Sequence, residues 1–251
     1  MQNEQVNFGF QKVSSEEKTG KVFDVFKSVA SKYDIMNDFM SFGLHHIWKR
    51  IFVNKIEPKQ NSKLLDLAAG SGDISYNYLK NSRTKNIKTE VVVSDINENM
   101  LEQSKPKFFD ANFSKDIKFE IINAEEIPYP DNHFDFCTIS FGIRNVTDIP
   151  KALSEIHRVL KPGGKFLCLE FSPVEEGVIK KIYDTYSFNV IPKVGKLITG
   201  DEASYQYLVE SIRVFPKSDD FKNMLENAEF KNVRFEKLTF GVVAIHTGWK
   251  I

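Results

Sequence analysis

The sequence contains little cysteine. Its 251 residues include only Cys137 and Cys168, and both stand in apolar runs, where a free cysteine behaves as a small buried hydrophobic residue. Two cysteines in a chain of this length exclude a disulfide framework and a cysteine-based metal cluster, and they indicate a reducing compartment.

The sequence also has no excess of charge of either sign. Lysine and arginine together number 34, and aspartate and glutamate also number 34. Neutralising a phosphate backbone needs a surplus of cations, so we expect no nucleic-acid partner. The same balance excludes a polybasic membrane anchor. With 41% hydrophobic residues and 22 phenylalanines, the chain can form a substantial core.

Long apolar runs are absent too. Uninterrupted apolar stretches are only a few residues long, far below the roughly 20 that span a bilayer. The first 12 residues lack the apolar segment of a secretory signal. We therefore expect a cytoplasmic protein that meets a membrane only peripherally, at its inner face. A eukaryotic host would leave the mitochondrial matrix open as a location.

From residue 58 onward, short apolar runs alternate with amphipathic segments. The runs predict strands at 63–67, 91–94, 117–122, 134–141 and 165–171. The segments between them predict helices at 74–80, 97–109 and 149–160. This alternation is typical of a parallel sheet with helices on both faces. Two further strands, 233–238 and 242–246, flank a short turn and predict an antiparallel hairpin, which gives an α/β fold of seven strands.

The flanking regions are predicted to be helical additions to a single domain. Apolar residues at helical spacing indicate a helix over 20–50, broken at 34–40. Further helices are predicted at 175–189, 205–214 and 221–228. We divide the chain into an N-terminal helical extension, a cofactor-binding core, a helical cap, and a C-terminal helix with its hairpin, at 1–57, 58–172, 173–216 and 217–251.

The segment 64–73, Leu-Leu-Asp-Leu-Ala-Ala-Gly-Ser-Gly-Asp, is the strongest local motif. A strand ends there, and a turn of small residues leads into a helix. Gly70 and Gly72 allow the backbone to approach a ligand closely, and the helix start offers free N–H groups. Tight turns between strand and helix also need glycine for steric reasons alone, so this motif by itself leaves both interpretations open.

Polar or small side chains follow the next three predicted strands. Asp95 ends the second strand, at a position where an acid can bind the ribose hydroxyls of a nucleoside cofactor. Asn123 and Ala124 follow the third strand, and Ser140 closes the fourth. Together they outline a ligand crevice at the carboxyl edge of the sheet. The alternative for Asp95 is that it only caps the helix at 97–109.

Several motifs then resemble one enzyme family. The turn above, Asp95, Pro128-Tyr-Pro-Asp-Asn-His-Phe-Asp and Leu160-Lys-Pro-Gly-Gly-Lys are similar to those of class I S-adenosylmethionine-dependent methyltransferases, whose fold is Rossmann-like. Tyr33-Asp-Ile-Met-Asn, followed by Ser41, His45 and Trp48, resembles the first signature of the UbiE-type ubiquinone/menaquinone biosynthesis C-methyltransferases. The segment 158–172 resembles the second. The similarity covers nearly the whole chain.

The resemblance implies a methyltransferase that uses S-adenosylmethionine and releases S-adenosylhomocysteine. Its substrate would be a lipid-tailed polyprenylated hydroquinone, methylated on a ring carbon; a benzoquinol, a naphthoquinol or both remain open. Matching motif positions place the cofactor contacts on Ser71, Asp95, Asn123, Ala124 and Ser140. Asp66, Gly70 and Gly72 of the turn complete the predicted set of cofactor-binding residues. Ala69 and Ser71 stand where the family usually has Gly and Thr.

Arg144, Asn145 and Tyr33 are the candidate catalytic residues. Arg144 and Asn145 directly follow the fourth predicted strand, where a guanidinium could orient the oxygen of a quinol. It could equally cap a carbonyl or pair with Glu170. Tyr33 is a candidate for the substrate side, and its spacing from Val22, Phe26 and Val29 fits core packing as well.

No metal is expected. His45 and His46 are adjacent, and neighbouring helical side chains diverge by about 100°, so the pair should not share one ion. Other histidines and carboxylates show no zinc-like spacing. The alternative functions are methylation of another small apolar acceptor and a non-catalytic cofactor-binding subunit of a quinone-biosynthesis complex. A homo-oligomer is also compatible with the sequence.

Overall fold

A computed structural model of the protein describes residues 5–29, 37–38, 41–174 and 201–251, with only the backbone given for 28–29. The strands are β1 (Gln5–Phe8), β2 (Gln11–Ser14), β3 (Ser62–Leu67), β4 (Thr89–Asp95), β5 (Ile117–Ile121), β6 (Phe134–Ser140), β7 (Leu160–Phe171), β8 (Lys231–Leu238) and β9 (Val243–Trp249). The helices are α1 (Ser15–Val29), α2 (His45–Asn54), α3 (Asp73–Thr84), α4 (Glu98–Asp110), α5 (Ile149–Val159), α6 (Glu202–Val214) and α7 (Ser218–Asn227).

Seven strands form one sheet in the order β5-β4-β3-β6-β7-β9-β8. The first five of these run parallel to their neighbours. Strand β9 pairs antiparallel with both β7 and β8. The predicted α/β fold, with five parallel strands and a C-terminal antiparallel hairpin, is therefore confirmed.

The sheet is buried on both faces because its strands are apolar at consecutive positions. Leu64 belongs to a cluster that packs beneath α2, α3, α4 and α6. Its neighbour Leu65 points to the opposite face and packs with α5 and α7. Cys137 and Cys168 are fully buried free thiols on that second face, and burial raises the pKa of each. They act as the small buried hydrophobic residues that the sequence predicts.

The N-terminal part departs from the predicted helical extension. Helix α1 begins at Ser15, and the hairpin of β1 and β2 precedes it. Tertiary contacts with α6 support this hairpin: the Phe8 ring stacks on Tyr207 at 4.1 Å, and the Phe10 N–H donates to Glu210 at 3.1 Å. Because these partners lie about 200 residues away, the local pattern did not reveal the strands.

Several boundaries also differ from the predictions. The segment 161–164, predicted as a turn before a strand, lies at the start of β7, where the pairing register with β6 shifts. The predicted break at 34–40 falls largely, and the predicted helix at 175–189 entirely, outside the described residues. Every helix within the described ranges falls short of the length or the apolarity that a bilayer-spanning segment requires.

Candidate functional site

A cavity opens at the carboxyl ends of strands β3 to β6. Its open volume is about 900 Å³, which includes the solvent space at its mouth. Helix α1 forms the outer wall with one stripe of side chains, Thr19, Val22, Phe23 and Phe26. The loops after the strands contribute Ala68, Gly70, Asp95, Ile96, Asn123, Ala124, Phe141, Gly142 and Asn145. A cavity is therefore present at the edge of the sheet where the sequence predicts a ligand crevice.

The loop between β3 and α3 has a left-handed backbone at three positions. Ala68 has a φ of 48°, Gly70 of 55° and Gly72 of 72°. Ala68 and Gly70 line the cavity. A Cβ on Gly72 would lie 2.9 Å from the Phe108 ring, so this glycine is required for packing against α4. Ser71 is half-buried and does not line the cavity.

Asp95 joins that loop to the next one. Its Oδ2 accepts the Gly70 N–H at 3.0 Å, and its Oδ1 accepts the Asn97 N–H at 2.9 Å. Asn97, and not Asp95, caps α4 through its own side chain, so the helix-cap alternative is wrong. The carboxylate lies at the cavity wall, and burial raises its pKa.

Asp66 lies beneath the cavity and does not line it. The carboxylate is fully buried. Its Oδ2 accepts from the Ser75 N–H and hydroxyl, and its Oδ1 accepts from the Thr138 hydroxyl at 2.8 Å. Burial raises its pKa to about 6. Asp66 thus connects β3, α3 and β6 and fixes the turn from below.

At the ends of β5 and β6, one polar side chain lines the cavity and the other does not. Asn123 is exposed at the cavity, where its Oδ1 accepts the Glu125 N–H at 3.0 Å, and Ala124 is buried beside it. Ser140 closes β6, and within the described part of the chain its buried hydroxyl has no hydrogen-bond partner. Ser140 is not among the residues that line the cavity.

Arg144 is buried behind the cavity and engaged with protein groups. Its Nη1 donates to Glu170 at 2.7 Å and to the Phe141 carbonyl at 2.6 Å, and its Nε donates to Ser211 at 3.3 Å. Glu170 is fully buried; desolvation raises its pKa, while the Arg144 charge acts to lower it. The sequence left open whether Arg144 faces a substrate or binds protein groups. In the structure it forms the ion pair with Glu170 and also caps the Phe141 carbonyl.

Asn145 does reach the cavity. Its Oδ1 accepts the Tyr207 hydroxyl at 3.0 Å. Its Nδ2 is buried and has no hydrogen-bond partner within the described ranges, which leaves two donor hydrogens for another molecule. Tyr33, the third catalytic candidate, lies outside the described residues.

The two adjacent histidines converge, contrary to the expectation from helical geometry. His45 Nε2 and His46 Nε2 lie 2.9 Å and 3.1 Å from the same oxygen, Asp38 Oδ1. Their ring centroids are 3.9 Å apart. His45 is the first residue of α2, so the pair sits where the chain enters the helix, and the separation of about 100° does not keep the rings apart. Neither histidine lines the cavity.

Comparison with known proteins identifies the family. The ubiE/COQ5 methyltransferase family matches residues 12–250. The chain belongs to this family. It is 51% identical over 247 residues to the ubiquinone/menaquinone biosynthesis C-methyltransferase UbiE of Rickettsia bellii, covering 98% of this chain and 99% of that protein. It is 52% identical over 246 residues to UbiE of Rickettsia akari, with the same coverage.

The fold of the chain is similar to the folds of solved methyltransferase structures. A S-adenosylmethionine-dependent methyltransferase from Thermotoga maritima, described as a possible histamine N-methyltransferase, superposes with a TM-score of 0.62 at 16% identity, over 91% of this chain and 100% of that one. Phosphoethanolamine N-methyltransferase 2 of Haemonchus contortus, in complex with S-adenosylmethionine, gives 0.59 at 15% identity, over 81% and 52%. The class I methyltransferase fold is therefore confirmed.

Sequence reasoning on this ubiE/COQ5 family chain missed Lys18. The side chain is only 5% exposed, and its Nζ donates to the Val146 carbonyl at 2.8 Å. Burial lowers its pKa to about 8, against the attraction of Glu125. The residue stands in a run of charged residues, Glu-Glu-Lys, at the start of α1, which is typical of a solvated helix face and gave no signal of burial.

Proposed function

We propose that the chain transfers a methyl group from S-adenosylmethionine to a ring carbon of a polyprenylated hydroquinol in ubiquinone or menaquinone biosynthesis. One observation carries the proposal. A cavity bearing Asp95 and Asn123 at successive strand ends occurs in a chain that matches UbiE proteins along nearly their entire length.

The cavity residues fit an adenosyl cofactor. Each Asp95 oxygen accepts one backbone N–H and keeps acceptor capacity for a ribose hydroxyl. Asn123 and Ala124 offer an amide and a small apolar surface for the edge of an adenine ring, while Ile96 and Met100 supply apolar wall. Asn145 Nδ2 and Ser140 Oγ are buried and have no hydrogen-bond partner within the described residues, so we propose them as further contacts that form when the cofactor binds.

Other predicted contacts have a supporting role in this proposal. Asp66 holds the turn from below through Ser75 and Thr138. Gly72 lets α4 pack against the turn. Ser71 remains a proposed contact on the family resemblance, as does Tyr33 on the substrate side.

The residues around the reacting atoms mainly position the substrate and exclude water. Bound S-adenosylmethionine supplies an already activated methyl group. Phe23, Phe26 and Phe141 line the cavity and shield the transfer from solvent. A free phenol has a pKa near 10, so stabilising the developing phenolate raises the reactivity of the ring carbon. We propose Asn145, which lines the cavity, as the donor for this role; its Nδ2 is buried and has to turn toward the substrate.

Arg144 acts indirectly in this proposal. Its guanidinium holds the Phe141 carbonyl, and Phe141 has a φ of 57°, a left-handed conformation that a bulky side chain rarely adopts. By fixing this turn, Arg144 positions both Phe141 and the neighbouring Asn145. It is therefore a positioning residue, and Asn145 is the candidate that touches the substrate.

We further propose that the chain works in the cytoplasm, peripherally at the inner face of a membrane. Phe42, Ile47 and Phe240 are exposed by 53–81%. The Trp48 indole N–H donates to Thr239 at 2.8 Å, which brings the turn with Phe240 beside α2. An apolar contact of this kind suits a lipid-tailed substrate and should persist at high salt, in sedimentation with neutral-lipid vesicles; release by salt would contradict it.

The decisive experiment supplies the purified protein with labelled methyl donor and a short-chain demethylated quinol. Label in the quinol supports the proposal. Binding of S-adenosylmethionine without turnover, with benzoquinol and naphthoquinol acceptors alike and with partner proteins added, would instead indicate a non-catalytic subunit. Turnover only with an unrelated small acceptor would replace the substrate class and keep the enzyme.

A further inference from the structure

Three potential metal ligands meet outside the cavity, at the start of α2. They are Asp38, His45 and His46, and each offers one donor atom within 4.8 Å of the other two. Asp38 Oδ1 lies 2.9 Å from His45 Nε2 and 3.1 Å from His46 Nε2. Two histidines with one carboxylate form a donor set that first-row transition metals bind.

The separations match those between ligands of one metal ion. With bonds of about 2.0–2.2 Å, two donors of one ion lie roughly 3.0–3.5 Å apart in octahedral or tetrahedral geometry. Both oxygen–nitrogen separations fall within about 0.1 Å of that range. The two histidine nitrogens lie within 4.8 Å of each other, so any adjustment on binding falls mainly on that separation.

The backbone holds the three residues in place without a metal. The Gly43 N–H donates to the Asp38 carbonyl at 2.9 Å. The Ser41 hydroxyl donates to the Asn37 carbonyl at 2.7 Å and accepts the His45 N–H at 3.2 Å. Asn37 and Asp38 are thus hydrogen-bonded to Ser41 and Gly43, and Ser41 to the first residue of α2, so little ordering of these residues is required on binding.

Access from solvent also suits a metal. His46 and Asp38 have side chains exposed by 62% and 50%, while His45 is buried at 1%, so an ion can enter from solvent and retain water ligands.

We propose that Asp38, His45 and His46 form a binding site for a divalent first-row transition metal such as zinc or cobalt. The site is structural, because none of the three lines the cavity. Binding fixes the first turn of α2, whose Trp48 ring lies 6.3 Å from Phe141 at the cavity wall. The inference is independent of the reaction that the enzyme catalyses.

The test uses untagged full-length protein, stripped with a chelator and titrated with zinc in a calorimeter and with cobalt in an absorption spectrometer. The expected result is one ion per chain and a stability increase on zinc addition. His46→Asn and Asp38→Asn, both at exposed side chains, should each weaken binding by about tenfold or more. His133→Asn, a histidine elsewhere on the surface, is the matched control and should bind as the wild type does.

Two results would overturn the proposal. One is the absence of saturable binding to the wild type. The other is binding that persists in both His46→Asn and Asp38→Asn, which would place the ion elsewhere. Circular dichroism of each variant, compared with the wild type, shows whether a loss of binding comes from a loss of fold.

Discussion

Asp95 is the side chain on which cofactor binding should depend most. Its carboxylate lines the cavity and ties the Gly70 loop to β4. Asp95→Ala removes the acceptor for the ribose hydroxyls, each such bond to a charged group contributing about 1.5–3 kcal/mol. We expect affinity for S-adenosylmethionine to fall by about a hundredfold in calorimetry, with the fold kept. Asp110→Ala, at the exposed end of α4, is the control and should bind as the wild type does. Unchanged affinity in Asp95→Ala would show that Asp95 does not belong to the site.

Arg144 should matter for stability before it matters for catalysis. Arg144→Met leaves Glu170 buried without its ion-pair partner, which costs about 3–5 kcal/mol of unfolding free energy. Replacing both residues by Met and Leu should recover most of that loss in urea unfolding, since no charge is then left buried. If Arg144→Met instead keeps full stability and loses only turnover, the guanidinium acts on the substrate and the positioning role is wrong.

Asp66 should give the fold a measurable pH dependence. Burial raises its pKa from 3.8 to about 6, and in the unfolded chain the carboxyl returns to its ordinary value. Folding therefore favours the protonated form: the stabilisation is complete below about pH 4 and is lost as the pH rises through about 6, amounting to about 3 kcal/mol. The unfolding free energies of the wild type and Asp66→Asn are measured at about pH 4 and about pH 7. Relative to Asp66→Asn, the wild type should lose about 3 kcal/mol of stability between the two pH values. A constant difference would contradict the raised pKa.

At the scale of single residues, the sequence predicts position better than role. Asp95 was predictable because an acid at the end of the second strand of such a sheet faces the crevice. For Arg144 the sequence offered the ion pair with Glu170 only as one alternative, since that pair depends on how β7 places Glu170 beside the turn after β6. Gly72 was assigned to ligand approach, whereas Phe108 from α4 is what excludes a side chain there.

Helix α1 forms the outer wall of the cavity, and Lys18 links this helix to the loop after β6. The Lys18 ammonium reaches the Val146 carbonyl, and Thr19 contacts Thr147 at 3.0 Å. Lys18→Met keeps the length of the side chain and loses the donor, so α1 should detach more readily from the cavity loops. We expect affinity for S-adenosylmethionine to fall by about tenfold. Lys21→Met, at an exposed position of the same helix paired with Glu17, should leave affinity unchanged; an equal loss in both variants would contradict a specific role for Lys18.

Element order followed from the sequence because the parallel strands are continuous apolar runs between amphipathic helices. The N-terminal hairpin did not, since β1 and β2 have four residues each and rely on α6 for support. Helix α2 shows the same limit at a finer level. Its first turn carries His45 and His46. The predicted divergence of about 100° holds for residues inside a helix, and these two residues at its start instead contact the same Asp38 oxygen.

For the whole molecule, the zero net charge and the exposed apolar side chains bear on the same question, which is how the protein reaches a lipid-tailed substrate. A chain with 34 positive and 34 negative side chains carries no net charge, so we expect little long-range attraction to an anionic membrane or a nucleic acid. We propose that a lipid-tailed substrate is reached through apolar contact instead. In this proposal the ring occupies the cavity at the edge of the sheet, under α1, and its tail extends outward.

The position of the transferred methyl group tests the central claim most directly. Wild type and Asp95→Ala are each supplied with isotopically labelled S-adenosylmethionine and a short-chain demethylated quinol, and the product is analysed by NMR. The account predicts label on a ring carbon with the wild type and a severe loss of rate with Asp95→Ala. Label on a phenolic oxygen, or no methylated quinol from wild-type protein that binds the cofactor, would contradict it.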